Sequence, residues 1–101
     1  MFDLYIPEGK VIYNEFDFDL SKSIEGQEKC LLEDILQISF QNNVLLDLGW
    51  YPELYSRGRF VLQVIKDYDW EKALYKIEFK ELSLISENIK KATNFIRLNC
   101  K

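Results

Sequence analysis

A chain of 101 residues that is 48% hydrophobic and 15% aromatic carries enough apolar material for one packed core, so a single domain over 1–101 is expected and the composition argues against disorder. Its 13 Lys and Arg face 17 Asp and Glu, and the net charge of −4 has the wrong sign for binding nucleic-acid phosphates but suits a basic partner. Histidine is absent, which removes the commonest general base and metal ligand and excludes Ser–His and Cys–His nucleophile systems.

The first residues, "MFDLYIPEGK", lack a basic segment followed by an apolar one, so a secretory signal is not expected. No apolar run reaches the roughly 20 residues that span a bilayer. Cys30 and Cys100 lie far apart without C-x-x-C spacing, which fits two free thiols in a cytosolic protein better than a disulfide framework. Cys30 is read as a core residue and Cys100 as an exposed one.

In chain order, "FDLYI" (2–6) alternates and ends at the turn signal Pro7-Glu8-Gly9, which predicts a short strand. "VIYNEFDFDLS" (11–21) also alternates. Phe16, Phe18 and Leu20 point one way, and Glu15, Asp17 and Asp19 the other, as in an edge strand with its carboxylates in water. "EKCLLEDILQISFQ" (28–41) repeats Leu31, Ile35 and Ile38 at steps of four and three. That spacing predicts an amphipathic helix with Glu28, Glu33 and Asp34 near its start, ended by Gln41-Asn42-Asn43.

"VLLDLGWY" (44–51) predicts a central strand, with Val44, Leu46, Leu48 and Trp50 on one face and Leu45, Asp47 and Tyr51 on the other. Pro52 stops it, and "RFVLQVIKD" (59–67) returns antiparallel after a hairpin loop. After the turn "DYDW", "KALYKIEFK" (72–80) is a third strand of strict alternation, and "SENIKKATNFIRLN" (86–99) a second amphipathic helix. The expected fold is therefore α+β: an antiparallel meander of three to five strands with two amphipathic helices packed on one face.

Few constellations carry chemistry. Asp67, Asp69 and Glu71 could hold a hard cation, but they lack the glycine and distant glutamate of a calcium loop, and a solvated turn fits better. Glu15, Asp17 and Asp19, on an outward face, do not make the buried carboxylate pair of a glycosidase. Neither a P-loop nor a dinucleotide fingerprint occurs. Trp50 reads as core, whereas Tyr51 and Trp70 fit either a core or a binding role, and Tyr55 joins them as an aromatic available to a partner. Lys90, Lys91 and Arg97 read as the solvated face of the last helix.

The segments "LLDLGWYPE" and "GRFVLQVIKDYDWEKAL", followed by a charged strand and a terminal helix, resemble small immunity proteins of bacterial contact-dependent growth inhibition and related polymorphic-toxin systems. Leu46, Asp47, Gly49, Trp50, Tyr51, Pro52, Gly58, Phe60, Asp69 and Trp70 carry the likeness, which covers about residues 44 to 75. "FDFDLSKSIEG" is similar to the start of such proteins, more weakly. The resemblance implies a cytoplasmic, non-enzymatic inhibitor that needs no cofactor and binds a toxin domain, commonly a nuclease with a basic cleft. It does not place the contact residues. The candidates are the acidic sets Glu15, Asp17, Asp19 and Asp67, Asp69, Glu71, with Tyr51, Tyr55 and Trp70. Two other readings stay open: a structural or oligomerising module, and an enzyme using carboxylates.

Overall fold

Five strands and one α-helix organise residues 9–100, the part of the chain described by this computed structural model. The strands are β1 (Lys10–Asn14), β2 (Leu36–Phe40), β3 (Val44–Tyr51), β4 (Arg59–Lys66) and β5 (Tyr75–Phe79), and the helix is α1 (Ile85–Asn99). They form one antiparallel sheet in the order β1-β2-β3-β4-β5, a meander. The strand expected over 2–6 lies outside the described residues.

The longest runs form the centre. β3 is buried over its first seven positions, as a strand covered on both faces must be. Register puts Leu36, Leu48, Leu62 and Ile77 in one row, with Ile38, Leu46, Val64 and Tyr75 in the next. Trp50 and Phe60 pair on the same face, their rings meeting edge-on at 4.7 Å. α1 buries Ile85, Ile89, Ala92 and Ile96 and lies against β4 and β5. Its spacing of four, three and four residues is what turns those side chains toward one side. Cys30 and Cys100 are free thiols, both half-buried against the core, so Cys100 is less exposed than its terminal position implied.

Two expectations fail. The helix over 28–41 does not form: a 3-10 turn occupies Glu28–Cys30, an irregular segment follows, and Leu36–Phe40 is strand. Leu31, Ile35 and Ile38 satisfy a helical step, but Leu36, Ile38 and Phe40 equally satisfy period two. Pairing with β3 decides between them, because it buries those three while Gln37 and Ser39 turn outward. Gln41-Asn42-Asn43 is then a hairpin turn, with Asn42 and Asn43 at φ 64 and 59°, a region asparagine tolerates. Among the described residues one α-helix thus lies on the sheet, not two.

The strand over 11–21 stops at Asn14. Asn14 Oδ1 accepts the N–H of Phe16, and the chain continues as an irregular segment. Phe18 still packs inward, 5.7 Å ring to ring from Phe60, while Glu15, Asp17 and Asp19 stay exposed.

Candidate functional site

Gly49 sets the geometry of one end of the sheet. The N–H of Ile35 donates to the Leu48 carbonyl at 3.0 Å, and that of Trp50 to the Leu32 carbonyl at 2.8 Å. Glu33 and Asp34, caught between these bonds, bulge over β3. A β-carbon on Gly49 would collide with the Glu33 carbonyl and come within 3.1 Å of the Tyr51 ring. Glycine is therefore the residue that admits both the bulge and the ring at this point.

The loop after β3 is fixed by the next residue. Trp50, fully buried, donates from Nε1 to the Tyr55 carbonyl at 2.8 Å. A β-carbon on Gly58 would sit 2.8 Å from that nitrogen, so Gly58 makes room for it. Leu54 donates its N–H to the Leu31 carbonyl at 2.6 Å, which ties the loop to the bulge, and Glu53 Oε1 lies 3.3 Å from the Glu33 N–H it accepts.

These contacts gather acids around two tyrosines. Asn14 pairs with Leu36, and the N–H of Glu15 donates to the Ile35 carbonyl at 2.8 Å, so the end of β1 reaches the bulge. Partial burial and then Glu15, Asp34 and Glu53 hold the Tyr13 hydroxyl above the usual tyrosine pKa. Burial and then Asp47, Asp34 and Glu33 do the same to Tyr51. Glu15, Glu33, Asp34 and Glu53 are exposed and take part in no ion pair among the described residues. Arg59, opposite Tyr51 in register, is held by Glu78 at 2.6 Å and does not neutralise them. Arg57 is the other cation in this loop.

A buried carboxylate lies between two half-buried amides on the same strands. Gln37, Asp47 and Gln63 sit side by side on β2, β3 and β4, on the face opposite the main core. Asp47 is 2% exposed, and Gln37 Nε2 donates to its Oδ1 at 2.9 Å. Burial raises its pKa, against the lowering effect of the Gln37 and Gln63 amides, and Asp34 adds to the rise.

The residues expected to meet a partner divide between the two ends of the sheet. Glu15, Tyr51 and Tyr55 lie at the Gly49 end. Asp17 and Asp19 follow Glu15, but Asp19 is engaged in its own turn: its carboxylate accepts from the N–H and hydroxyl of Ser21, which holds its pKa down, and it pairs weakly with Lys22 at 3.9 Å. Asp67, Asp69, Trp70 and Glu71 lie in the loop after β4, at the far end of a strand that spans roughly 25 Å. Asn43 Nδ2 donates to Asp67 Oδ1 there at 3.3 Å, and Trp70 is exposed. The two acidic sets therefore do not form one face. Glu33, Asp34, Glu53 and Tyr13 were not expected at the site. The helical period over 28–41 puts Glu33 and Asp34 near a helix start, and only the extended reading of Leu36, Ile38 and Phe40 moves them to a strand end.

Among the described residues no group of three or more Cys, Asp or Glu side chains is placed to hold a metal ion, so the four acids are spread over a surface and not focused on a point. A groove of about 500 Å³ lies elsewhere, beside Ser21, Ser23, Ser56 and Ser83. No hydrogen bond among the described residues links a serine hydroxyl there to Lys22 or Lys80. No described helix is long and apolar enough to cross a membrane. The fold and site together define an α+β sheet protein with an acidic, tyrosine-bearing sheet end. No family model, curated protein or solved structure matches the chain.

Proposed function

We propose that this chain is a cytoplasmic immunity protein of a contact-dependent growth inhibition system, which binds a toxin domain, a nuclease in the simplest case, and blocks its active site without catalysis or cofactor. The likeness of residues 44 to 75 to such proteins supports the reading. The observation that carries it furthest is the acidic end of the sheet, where Glu15, Glu33, Asp34 and Glu53 surround Tyr13 and Tyr51 with no ion pair among the described residues. A nuclease cleft shaped for phosphates is basic, and acids fixed on a rigid sheet complement it.

The test is to look for a toxin gene next to the one for this chain and to co-express the toxin domain found there with it. Growth should be restored, and the two proteins should purify together as a complex burying on the order of 1,600 Å². Continued growth arrest, with no complex formed, overturns the reading.

A further inference from the structure

The acidic end carries more than charge. Tyr13 of β1 is 39% exposed, and Leu54 and Tyr55, in the loop tied to the bulge, are 55 and 50% exposed. Large apolar side chains left in water mark a protein–protein contact, and carboxylates around them without ion pairs complement a basic partner. Metal chelation does not explain the acids, since they are too dispersed. Simple solvation does not explain the apolar side chains among them.

Arginine matches both properties. Its planar guanidinium can lie on a tyrosine ring and still present N–H donors to carboxylates at the ring's edge, whereas lysine offers a compact, strongly hydrated point charge. The mounting is rigid: the Glu33–Asp34 bulge is pinned by the bonds to Leu48 and Trp50, and the 52–54 turn by the bond from Leu54 to Leu31. Little order is therefore lost when a partner is captured.

We propose that this end of the sheet, formed by Tyr13, Glu15, Glu33, Asp34, Tyr51 and Glu53, is an arginine-recognition surface for a basic partner protein. The loop at the opposite end, with Asp67, Asp69 and Glu71, is not part of this surface: it lies at the far end of β4, and Asp67 there already accepts from Asn43 Nδ2. The surface assignment stands on the geometry. That the arginines belong to a toxin domain rests on the function proposed above.

The test uses an oligoarginine peptide and an oligolysine peptide of equal length as probes, titrated into the isotopically labelled protein and followed by amide chemical shifts. Oligoarginine should perturb residues 13–15, 33–34 and 51–54 first and bind several-fold more tightly than oligolysine. The variant Glu15→Gln, Glu33→Gln, Asp34→Asn, Glu53→Gln keeps the acceptor on residue 53. If its spectrum shows the native fold, it should bind oligoarginine about tenfold or more weakly. The matched change Asp67→Asn, Asp69→Asn, Glu71→Gln should leave binding within about twofold. Shifts centred on 67–71, equal affinity for the two peptides, or unchanged binding by the first variant would each overturn the assignment. Because these readouts need no toxin, failure of the co-expression test with the shift map intact removes the toxin reading and leaves the arginine surface standing.

Discussion

The carbonyl of Glu33 occupies the space in which Gly49 would carry a β-carbon. This contact couples the scaffold to the acidic surface, because the bulge that holds Glu33 and Asp34 cannot settle on β3 beside any larger residue. Gly49→Ala should therefore cost about 2–3 kcal/mol in denaturant unfolding, at the upper end of overpacking changes because the clash is with backbone. It should also shift the amide resonances of residues 31–35. Gly26 makes a useful contrast: its φ of 87° disfavours alanine, but nothing lies within 4 Å, so Gly26→Ala should cost about 1 kcal/mol and leave 31–35 unmoved. Equal behaviour of the two variants would show that the Glu33–Gly49 approach is not tight.

Trp50 has two separable roles. Its ring fills the core against Phe60, so Trp50→Ala should cost about 3–5 kcal/mol by thermal or chemical unfolding. Its Nε1 donates to the Tyr55 carbonyl, and Trp50→Phe keeps an aromatic ring while removing that donor. The lost hydrogen bond should add about 1 kcal/mol to the cost of the smaller ring. The sharper readout is local: the Gly58 N–H, which donates to Tyr55 at 2.9 Å, should exchange with solvent faster in Trp50→Phe. Unchanged exchange at Gly58 would mean that the loop is held by other bonds.

The sequence was most legible where one pattern had no competitor. Val44–Tyr51 is long, apolar and closed by Pro52, and the strand has the expected bounds. Strict alternation made Tyr75–Phe79 readable, and the 3.6-residue stripe made α1 readable to within one residue. The reading failed at 28–41 because two periods overlap there. Leu31, Ile35 and Ile38 gave the helical step, while Ile38 and Phe40 belong to the strand that pairs with β3. Pairing is a long-range fact that no local window contains. That one misreading also hid half of the acidic site, since Glu33 and Asp34 gain their neighbours only when Leu36–Phe40 is extended. Glu15 and Tyr51 were legible as candidates, but their approach to Glu53 depends on the loop bond from Leu54 to Leu31.

Tyr68 sits in the turn after β4 with a φ of 59°, next to Asp67 at 54°, and the Asp69 N–H donates to the Lys66 carbonyl at 3.0 Å. Two successive residues with positive φ closed by this bond are the pattern of a type I′ turn, whose second central position favours glycine. A tyrosine there is strained, and at 73% exposure its ring recovers little by packing. Tyr68→Gly should raise stability by about 0.5–1 kcal/mol, read as a shifted denaturation midpoint. A loss of stability would show that the Tyr68 ring makes packing contacts worth more than the strain.

Asp47 gives the pH prediction. A carboxyl group 2% exposed on a central strand is costly to ionise, and its pKa is raised above the ordinary carboxylate value because burial outweighs the Gln37 and Gln63 hydrogen bonds. In the unfolded chain the same group titrates near the ordinary value of about 3.9. Between that value and its raised native pKa, the folded state holds more protons than the unfolded one. Stability from this group therefore falls as pH rises through that window and stays reduced above it. Asp47→Asn removes the titration and keeps an oxygen that can accept from Gln37 Nε2. The variant should match the parent below the ordinary carboxylate range and exceed it in stability at neutral pH, so that the difference between the two grows with pH. Denaturant unfolding of both proteins across that range reads it directly. A variant that is less stable at neutral pH would mean that the two glutamine amides stabilise the ionised carboxylate enough to offset its burial, and the pKa shift would then have the opposite sign.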